Sequence, residues 1–405
     1  MRLLVCAGGT GGGIYPALAA VAELRQQGLA VKHPLVDAHP LGDADILWIG
    51  AKGEMEETLV PRAGLTLATI PAGPLVGVPL GTRARSAVKM ARGFGAALGH
   101  IGRFRPTVVF VTGGYVAAPV ALAARARRVP IVVYLPDVEP GSTIRAVLPL
   151  ARRVACTTDG SRAFVPANKM VVTGYPVRPD IRAARALSRD EALARFDLRP
   201  GRPTLFVFGG SRGARAINRA LMAVLPQLLT EAQVIHVSGT LTWPEVEANA
   251  ATLPAELRAF YRPYPYLHEE MGPAFRAADL VVARAGASML GECPAFGLPS
   301  VLVPLTFAWR YQKVNADYLT ERGAAVQLTD ETLPEQLLPT VRALLFPPPG
   351  LPGGLASMSA AAAALDRPAA AADLARLIAE SAASGKSPAH RDGFVARVGN
   401  PQEKA

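Results

Sequence analysis

The chain has 405 residues, half of them hydrophobic and 6% aromatic, which is enough apolar material for two α/β domains with sizeable cores and excludes wholesale disorder. Its formal charge of +11 admits nucleic acid, an anionic membrane surface or a phosphorylated substrate as partner, and charge alone does not choose among them. No apolar run reaches the ~18 residues of a membrane span, the amino terminus enters a strand at once, and Cys6, Cys156 and Cys293 lack CxxC or CxxH spacing, so a cytoplasmic protein without signal peptide, disulfide framework, zinc site or cofactor is expected.

Arg2 to Ala7 reads as a strand, followed by Gly8-Gly9-Thr10-Gly11-Gly12-Gly13 and a helix expected to begin near Tyr15-Pro16, because proline suits a first turn. The glycines let a ligand approach the backbone, which makes Thr10, Gly11 and Gly12 candidate contacts; their spacing does not meet the dinucleotide pattern GxGxxG. Asp43 and Asp45 form a DxD pair, but they lead directly into the apolar run Ile46 to Ile49 and are read as a turn, leaving no metal site. From Pro71 to Pro106, apolar Leu75, Val76, Val78 and Leu80 precede Arg83, Arg85, Lys89, Arg92, Arg103 and Arg105. That segment suits either a solvated helix or shallow attachment to an anionic leaflet. Thr107 to Val111 is a strand leading to a second glycine turn at Gly113-Gly114-Tyr115, and Pro130 to Leu135 is the next buried strand.

A second strand–glycine–helix unit starts at Thr204 to Phe208, with Gly209-Gly210-Ser211-Arg212-Gly213-Ala214 as its turn. Farther on, Leu280 to Ala283 is a short apolar run, Gly286 follows, and a helix is expected from Ala287 or Ser288 to the stop at Gly297-Leu298-Pro299. Its free N–H groups and dipole suit a diphosphate. Glu292 would lie about one turn in, where a carboxylate can accept hydrogen bonds from the vicinal hydroxyls of a ribose. Beyond Pro347-Pro348-Pro349-Gly350, an alanine-rich helix is expected from Leu355 to Glu380, then a polar tail from Ala382 to Ala405 that reads as disordered.

Read together, GGTGG with Ile14-Tyr15-Pro16-Ala17-Leu18-Ala19, Gly113-Gly114-Tyr115-Val116, Gly174-Tyr175-Pro176-Val177-Arg178, the turn at Gly209, and the segment Ala287 to Gln312 resemble the MurG family of peptidoglycan glycosyltransferases from Met1 to about Glu380. The resemblance implies the GT-B architecture: two Rossmann-like domains, an acceptor and membrane-side domain at 1–174 and a UDP-sugar domain at 175–346, with a helix at 355–381 returning to the first. It implies that Ala287, Ser288, Met289, Leu290, Gly291 and Glu292 hold the nucleotide diphosphate and ribose, that Tyr311 and Gln312 touch the donor sugar, that Arg178 and Ser211 contact the donor, and that His268 lies in the loop cupping uracil. The partners implied are UDP-N-acetylglucosamine, a lipid-linked acceptor and peripheral contact with the cytoplasmic face of the membrane, with no nucleic acid.

Three departures concern the acceptor side. The family carries histidine at Gly13, His-Glu-Gln-Asn where this chain has Tyr134-Leu135-Pro136-Asp137, and asparagine near Ile144. The expected reaction is metal-free inverting transfer of N-acetylglucosamine to the muramyl-pentapeptide lipid. A different lipid or small acceptor, and a non-catalytic nucleotide-sugar-binding protein, are the alternatives. Asp137 is the one ionisable side chain in the altered loop and the candidate base; its other reading is a turn residue before Pro140-Gly141.

Overall fold

The apolar runs form thirteen strands among the described residues of a computed structural model, which describes residues 1–9, 11–26, 45–74, 77–210, 213–305, 310–347 and 354–384. Thr10, Asp43, Leu75, Val76, Ser211, Arg212 and tail residues 385–405 lie outside the described residues. The first sheet comprises β1 (Leu3–Cys6), β2 (Ile46–Gly50), β3 (Thr66–Thr69), β4 (Val108–Val111), β5 (Ile131–Leu135), β6 (Arg153–Cys156) and β7 (Met170–Val172), in the order β3-β2-β1-β4-β5-β6-β7. The second comprises β8 (Thr204–Phe208), β9 (Gln233–Val237), β10 (Tyr261–Tyr264), β11 (Leu280–Ala283), β12 (Ser300–Leu302) and β13 (Ala325–Gln327), in the order β10-β9-β8-β11-β12-β13.

Every pairing is parallel, from Leu3 opposite Val108 in the first sheet to Leu205 opposite Leu280 in the second. Helices cover both faces, so the central strands are buried throughout and read as unbroken apolar runs instead of alternating ones. In each sheet the strand order reverses once, between β1 and β4 and between β8 and β11, and crevices for ligands form outside the strand ends at such points. The glycine turns at Gly8 and Gly114 meet at the first: a Cβ on Gly114, whose φ is +83°, would stand 2.9 Å from the Gly8 carbonyl oxygen.

Three element boundaries differ from expectation. The first helix runs Gly11–Gln26, starting four residues before Tyr15, with Pro16 inside it; the proline removes the i+4 donor for the Gly12 carbonyl at the cleft edge. The segment after β11 is a 3₁₀ turn, Ala287–Leu290, then a separate short helix, Glu292–Phe296, and Glu292 is its first residue instead of lying one turn in. Gly291 breaks the run because it abuts Tyr175, where a Cβ would fall 2.5 Å from the tyrosine Cβ, and Pro294 fits the first turn of the restarted helix.

The alanine-rich segment is two helices, Leu355–Ala364 and Ala370–Ala383, interrupted at Asp366-Arg367-Pro368. Asp366 receives Arg182 at 2.8 and 3.1 Å and Arg185 at 3.0 Å, which fixes the break. The second of these helices packs on Gly11–Gln26 under the first sheet, burying Leu374, Leu377 and Ile378 at about 1.5–3 kcal/mol each.

Candidate active site

Between the carboxyl ends of the two sheets, one helix of the second lobe, Arg310–Glu321, reaches across to the first. Tyr311, Asn315 and Tyr318 recur at i, i+4 and i+7 and so share a face, which Arg322 just beyond continues at i+11. Tyr311 lies beside Gly141, where a Cβ would be 3.8 Å from the ring. Asn315, 0% exposed, accepts from the Val138 N–H at 2.9 Å and donates to Asp137 Oδ1 at 2.8 Å and to the Ala285 carbonyl at 3.1 Å. The Tyr318 hydroxyl donates to Asp159 at 2.9 Å, Arg322 donates to the same oxygen at 3.3 Å, and the guanidinium lies 3.6 Å from the Tyr318 ring centroid. These contacts hold the lobes together along one helix.

On the donor side, Glu292 is 9% exposed. Burial raises its pKa, offset by the Ser288 hydroxyl and by the positive field of Arg178. Arg178, in the segment joining the lobes, lies 5.0 Å from the ring centroid of Tyr15 and 3.6 Å from Asp180. Tyr15, on the first glycine-turn helix, lies near Tyr266 across the cleft, and desolvation pushes its hydroxyl up to about 12. His268 is exposed and packs on Tyr266, ring centroids 4.6 Å apart. Gln312 accepts from the Leu305 N–H at 3.0 Å, so its carbonyl is held and its amide nitrogen is directed by that bond.

The loop after β5 brings Asp137 to the same cleft. Its pKa is raised to about 6 by burial, with the Asn315 bond acting the other way. Tyr134, Tyr175 and Tyr311 surround it, each with its hydroxyl pKa pushed up chiefly by burial, and Tyr175 lies in the field of both Glu292 and Asp137. A carboxylate poised near neutral pH suits a general base. Gly13 lies against Thr112, just past the carboxyl end of β4: Thr112 Oγ1 donates to its carbonyl at 2.9 Å, and a Cβ on Gly13 would meet that hydroxyl oxygen at 3.1 Å. A larger side chain there has to displace Thr112.

Gly11 and Gly12 open the first helix, and Ala287, Met289 and Leu290 are buried in the 3₁₀ turn that follows β11. Among the described residues no cluster of three His, Cys, Asp or Glu side chains suits a metal ion; Asp45 directly precedes β2.

Several structural residues around the cleft were invisible in the sequence. Buried Glu56 accepts from the backbone N–H of Gly9 at 3.2 Å and of Ala51 at 2.9 Å, bracing the first glycine turn. Arg284 grips Asp330 through both carboxylate oxygens, at 2.7 and 3.2 Å, and so braces the start of the donor loop. Beneath the glycine turn that follows β8, beside Gly213, Asn218 donates to the Ser238 carbonyl and the Thr242 hydroxyl, so its oxygen accepts from His236 Nε2 at 3.0 Å, and Nδ1 of the neutral histidine accepts from the Tyr261 hydroxyl at 2.7 Å. Asn315 is the omission closest to the chemistry; a polar residue on the same helix face as Tyr311 was its only signal.

Comparison with known proteins gives these observations a lineage. The profile of the glycosyltransferase family 28 N-terminal domain matches residues 3–156, and that of the glycosyltransferase family 28 C-terminal domain matches residues 204–374. A UDP-N-acetylglucosamine--N-acetylmuramyl-(pentapeptide) pyrophosphoryl-undecaprenol N-acetylglucosamine transferase of Roseiflexus sp. (strain RS-1) is 39% identical over 82% of this chain and 84% of its own. The protein of the same name from Moorella thermoacetica is 38% identical over 95% of this chain and all of its own. Among solved structures, Acinetobacter baumannii MurG superimposes with a TM-score of 0.69 at 25% identity, covering 94% of this chain and 99% of that one. A Neisseria meningitidis UDP-GlcNAc 2-epimerase, TM-score 0.59 at 12% identity over 94% of this chain and 99% of its own, shares the fold. With two parallel-sheet lobes in the GT-B arrangement and both family domains in place, the chain belongs to glycosyltransferase family 28, in the MurG family of N-acetylglucosaminyltransferases.

Proposed function

We propose that the protein transfers N-acetylglucosamine from UDP-N-acetylglucosamine to undecaprenyl-pyrophosphoryl-MurNAc-pentapeptide, the lipid I to lipid II step of peptidoglycan synthesis. The observation that carries this reading is near full-length identity of 38–39% to transferases of that name. The donor takes the second lobe: Glu292 accepts from the ribose hydroxyls, the Ala287–Gly291 backbone and Ser211 cradle the diphosphate, and the uracil sits in the loop with His268. Arg178 offsets the charge of the departing UDP. Gln312 and Tyr311 orient the sugar, while Gly11 and Gly12 form the opposing wall. An acceptor hydroxyl gives its proton to Asp137 and attacks the anomeric carbon from the face opposite UDP, so configuration inverts. Electrostatic stabilisation of the leaving group by arginine and backbone dipoles takes the place that a metal fills elsewhere.

The membrane-facing surface is the Leu80–Phe104 helix with its neighbour Ala117–Ala126. An open groove of about 540 Å³ between them is lined by Met90, Ala91, Phe94, Pro119 and Leu122. Val88 and Leu122 are 61% and 51% exposed; Arg83, Arg85, Lys89 and Arg92 on the first of these helices and Arg125, Arg127 and Arg128 at the end of the second are exposed too, and Arg125 lines the groove. Basic residues near an anionic leaflet contribute ~1 kcal/mol each. No helix among the described residues is long and apolar enough to cross a membrane, and peripheral attachment at the cytoplasmic face fits that surface.

The altered acceptor loop, with Asp137 in place of the family's polar asparagine, favours a second reading in which another lipid or small molecule accepts the sugar. UDP release from UDP-N-acetylglucosamine separates the two. Release that requires added muramyl-pentapeptide pyrophosphoryl lipid supports the first reading; release with other membrane lipids but not with this one overturns it.

A further inference from the structure

The Asn315 amide bridges the lobes with both of its ends fixed. The Val138 N–H can only donate, so the Asn315 atom 2.9 Å away is the carbonyl oxygen. The amide nitrogen therefore faces two acceptors, Asp137 Oδ1 and the Ala285 carbonyl, and the orientation is consistent at all three contacts. Asn315 belongs to the second lobe and Asp137 to the first, 178 positions away in the chain. The same turn of helix carries Gln312, and Ala285 immediately precedes the donor loop at Gly286.

We infer that Asn315 is a positioning residue for Asp137, an amide from the donor lobe that holds one carboxylate oxygen so that the other faces the acceptor, and that it does so only while the lobes are together. The inference rests on the reading of Asp137 as base. Its consequence is that donor and base are assembled by one helix in one movement. Gln312 reads the sugar, and three residues along the same helix Asn315 fixes the group that accepts the proton. In the step so organised, the acceptor O–H gives its proton to Asp137, its oxygen bonds to the anomeric carbon, and the bond from that carbon to the UDP oxygen breaks with its electron pair leaving on UDP.

A side chain that merely joined the lobes would make no difference to proton affinity at Asp137. Asn315 donates to the carboxylate and so favours its charged form; the other titratable groups coupled to Asp137 are Tyr134 on the preceding strand, Tyr175 on the lobe-joining segment and Tyr311 on the helix, while Glu139 nearby is paired with Arg145 at 2.8 Å. Losing the donor leaves the desolvated carboxylate easier to protonate. The acidic limb of the kcat profile, which reports the base losing its proton, must then move to higher pH.

The test uses the full chain with UDP-N-acetylglucosamine and the lipid acceptor. Asn315→Asp is nearly isosteric and keeps an acceptor for the Val138 N–H while replacing the donor to Asp137 with a like charge. It should lower kcat by ~10-fold or more and move the acidic limb up by about one pH unit or more, with UDP affinity within about twofold. The exchanged pair, Asp137→Asn with Asn315→Asp, restores a cross-lobe hydrogen bond of reversed polarity but leaves the Ala285 carbonyl without its donor, so it should regain part of the melting temperature lost in Asn315→Asp without regaining turnover. Full turnover in the exchanged pair, or an unmoved acidic limb in Asn315→Asp, overturns the positioning role. Undiminished turnover in Asp137→Asn alone removes the base and the inference with it, a result distinct from the preceding ones. If Asn315→Asp melts too low to assay, Asn315→Ser, which is too short to reach Asp137, should show the same upward shift of the limb; an unmoved limb there overturns the role equally.

Discussion

Replacing Glu292 by glutamine should weaken UDP binding by about 10- to 150-fold while leaving the fold intact. Glu292 stands at the start of the Glu292–Phe296 helix, 9% exposed, with the Ser288 hydroxyl and the field of Arg178 directed at it. A buried carboxylate accepting from two ribose hydroxyls makes charge-assisted bonds, and removing that charge costs ~1.5–3 kcal/mol, which is the stated range at ~1.4 kcal/mol per tenfold. Glutamine keeps the shape and one acceptor, so Glu292→Ala should sit at the far end of the range. The carboxylate pKa is raised in the folded protein, so affinity of the unmodified chain should fall as pH drops toward that raised value, at a pH where a solvated glutamate is still ionised; Glu292→Gln should lack this limb. Titration calorimetry with UDP, at several pH values, measures both effects. Equal affinity in the unmodified protein and Glu292→Gln would refute the assignment of the ribose to this residue.

Three further outcomes are expected. Gly213, at φ +76°, has its missing Cβ 2.1 Å from the Ser238 carbonyl oxygen, so Gly213→Ala should lower the melting temperature measurably, by strain of about 1–3 kcal/mol; an unchanged melting curve means the turn can relax. His236 is buried and neutral, its pKa lowered to about 3 by desolvation, so from about pH 6.5 downward the unfolded chain takes up a proton that the folded one refuses, and stability is lost as pH falls toward 3. Denaturant melts of His236→Gln should show a slope against pH shallower by up to ~1.4 kcal/mol per unit in that window, and parallel slopes would contradict it. Flotation with anionic vesicles should be loosened by high salt and abolished by Leu122→Asp with Val88→Asp; equal flotation with neutral lipid would place attachment elsewhere.

The strands were legible because buried parallel strands leave unbroken runs such as Leu3 to Cys6 and Leu280 to Ala283, and the turns were legible because Gly9, Gly114, Gly210 and Gly213 occupy positive φ that other residues resist. Proline was the signal read least well. Pro294 marked the restart of a helix at Glu292, and Pro368 marked a break in the alanine-rich segment, whereas Pro16 sits inside a helix that the glycines begin. The cross-cleft contacts were not legible. Tyr15 with Tyr266, Tyr318 with Asp159, and Asn315 with Asp137 join positions more than 150 residues apart, and no local periodicity records which distant loop a helix face will meet. For the same reason the sequence offered a turn reading of Asp137 beside the catalytic one and gave no sign that Asn315 is its partner.

The most direct measurement is the structure of the product. UDP-N-acetylglucosamine and the muramyl-pentapeptide pyrophosphoryl lipid are incubated with the full chain in anionic vesicles containing chelator, and the lipid product is analysed by mass spectrometry and by NMR of the new glycosidic linkage. The expected result is a disaccharide lipid carrying one added N-acetylhexosamine in β linkage, inverted from the α-linked donor and formed at an undiminished rate without divalent metal. A retained α linkage, a rate restored only by magnesium or manganese, or an unmodified muramyl lipid beside another glycosylated product would contradict it.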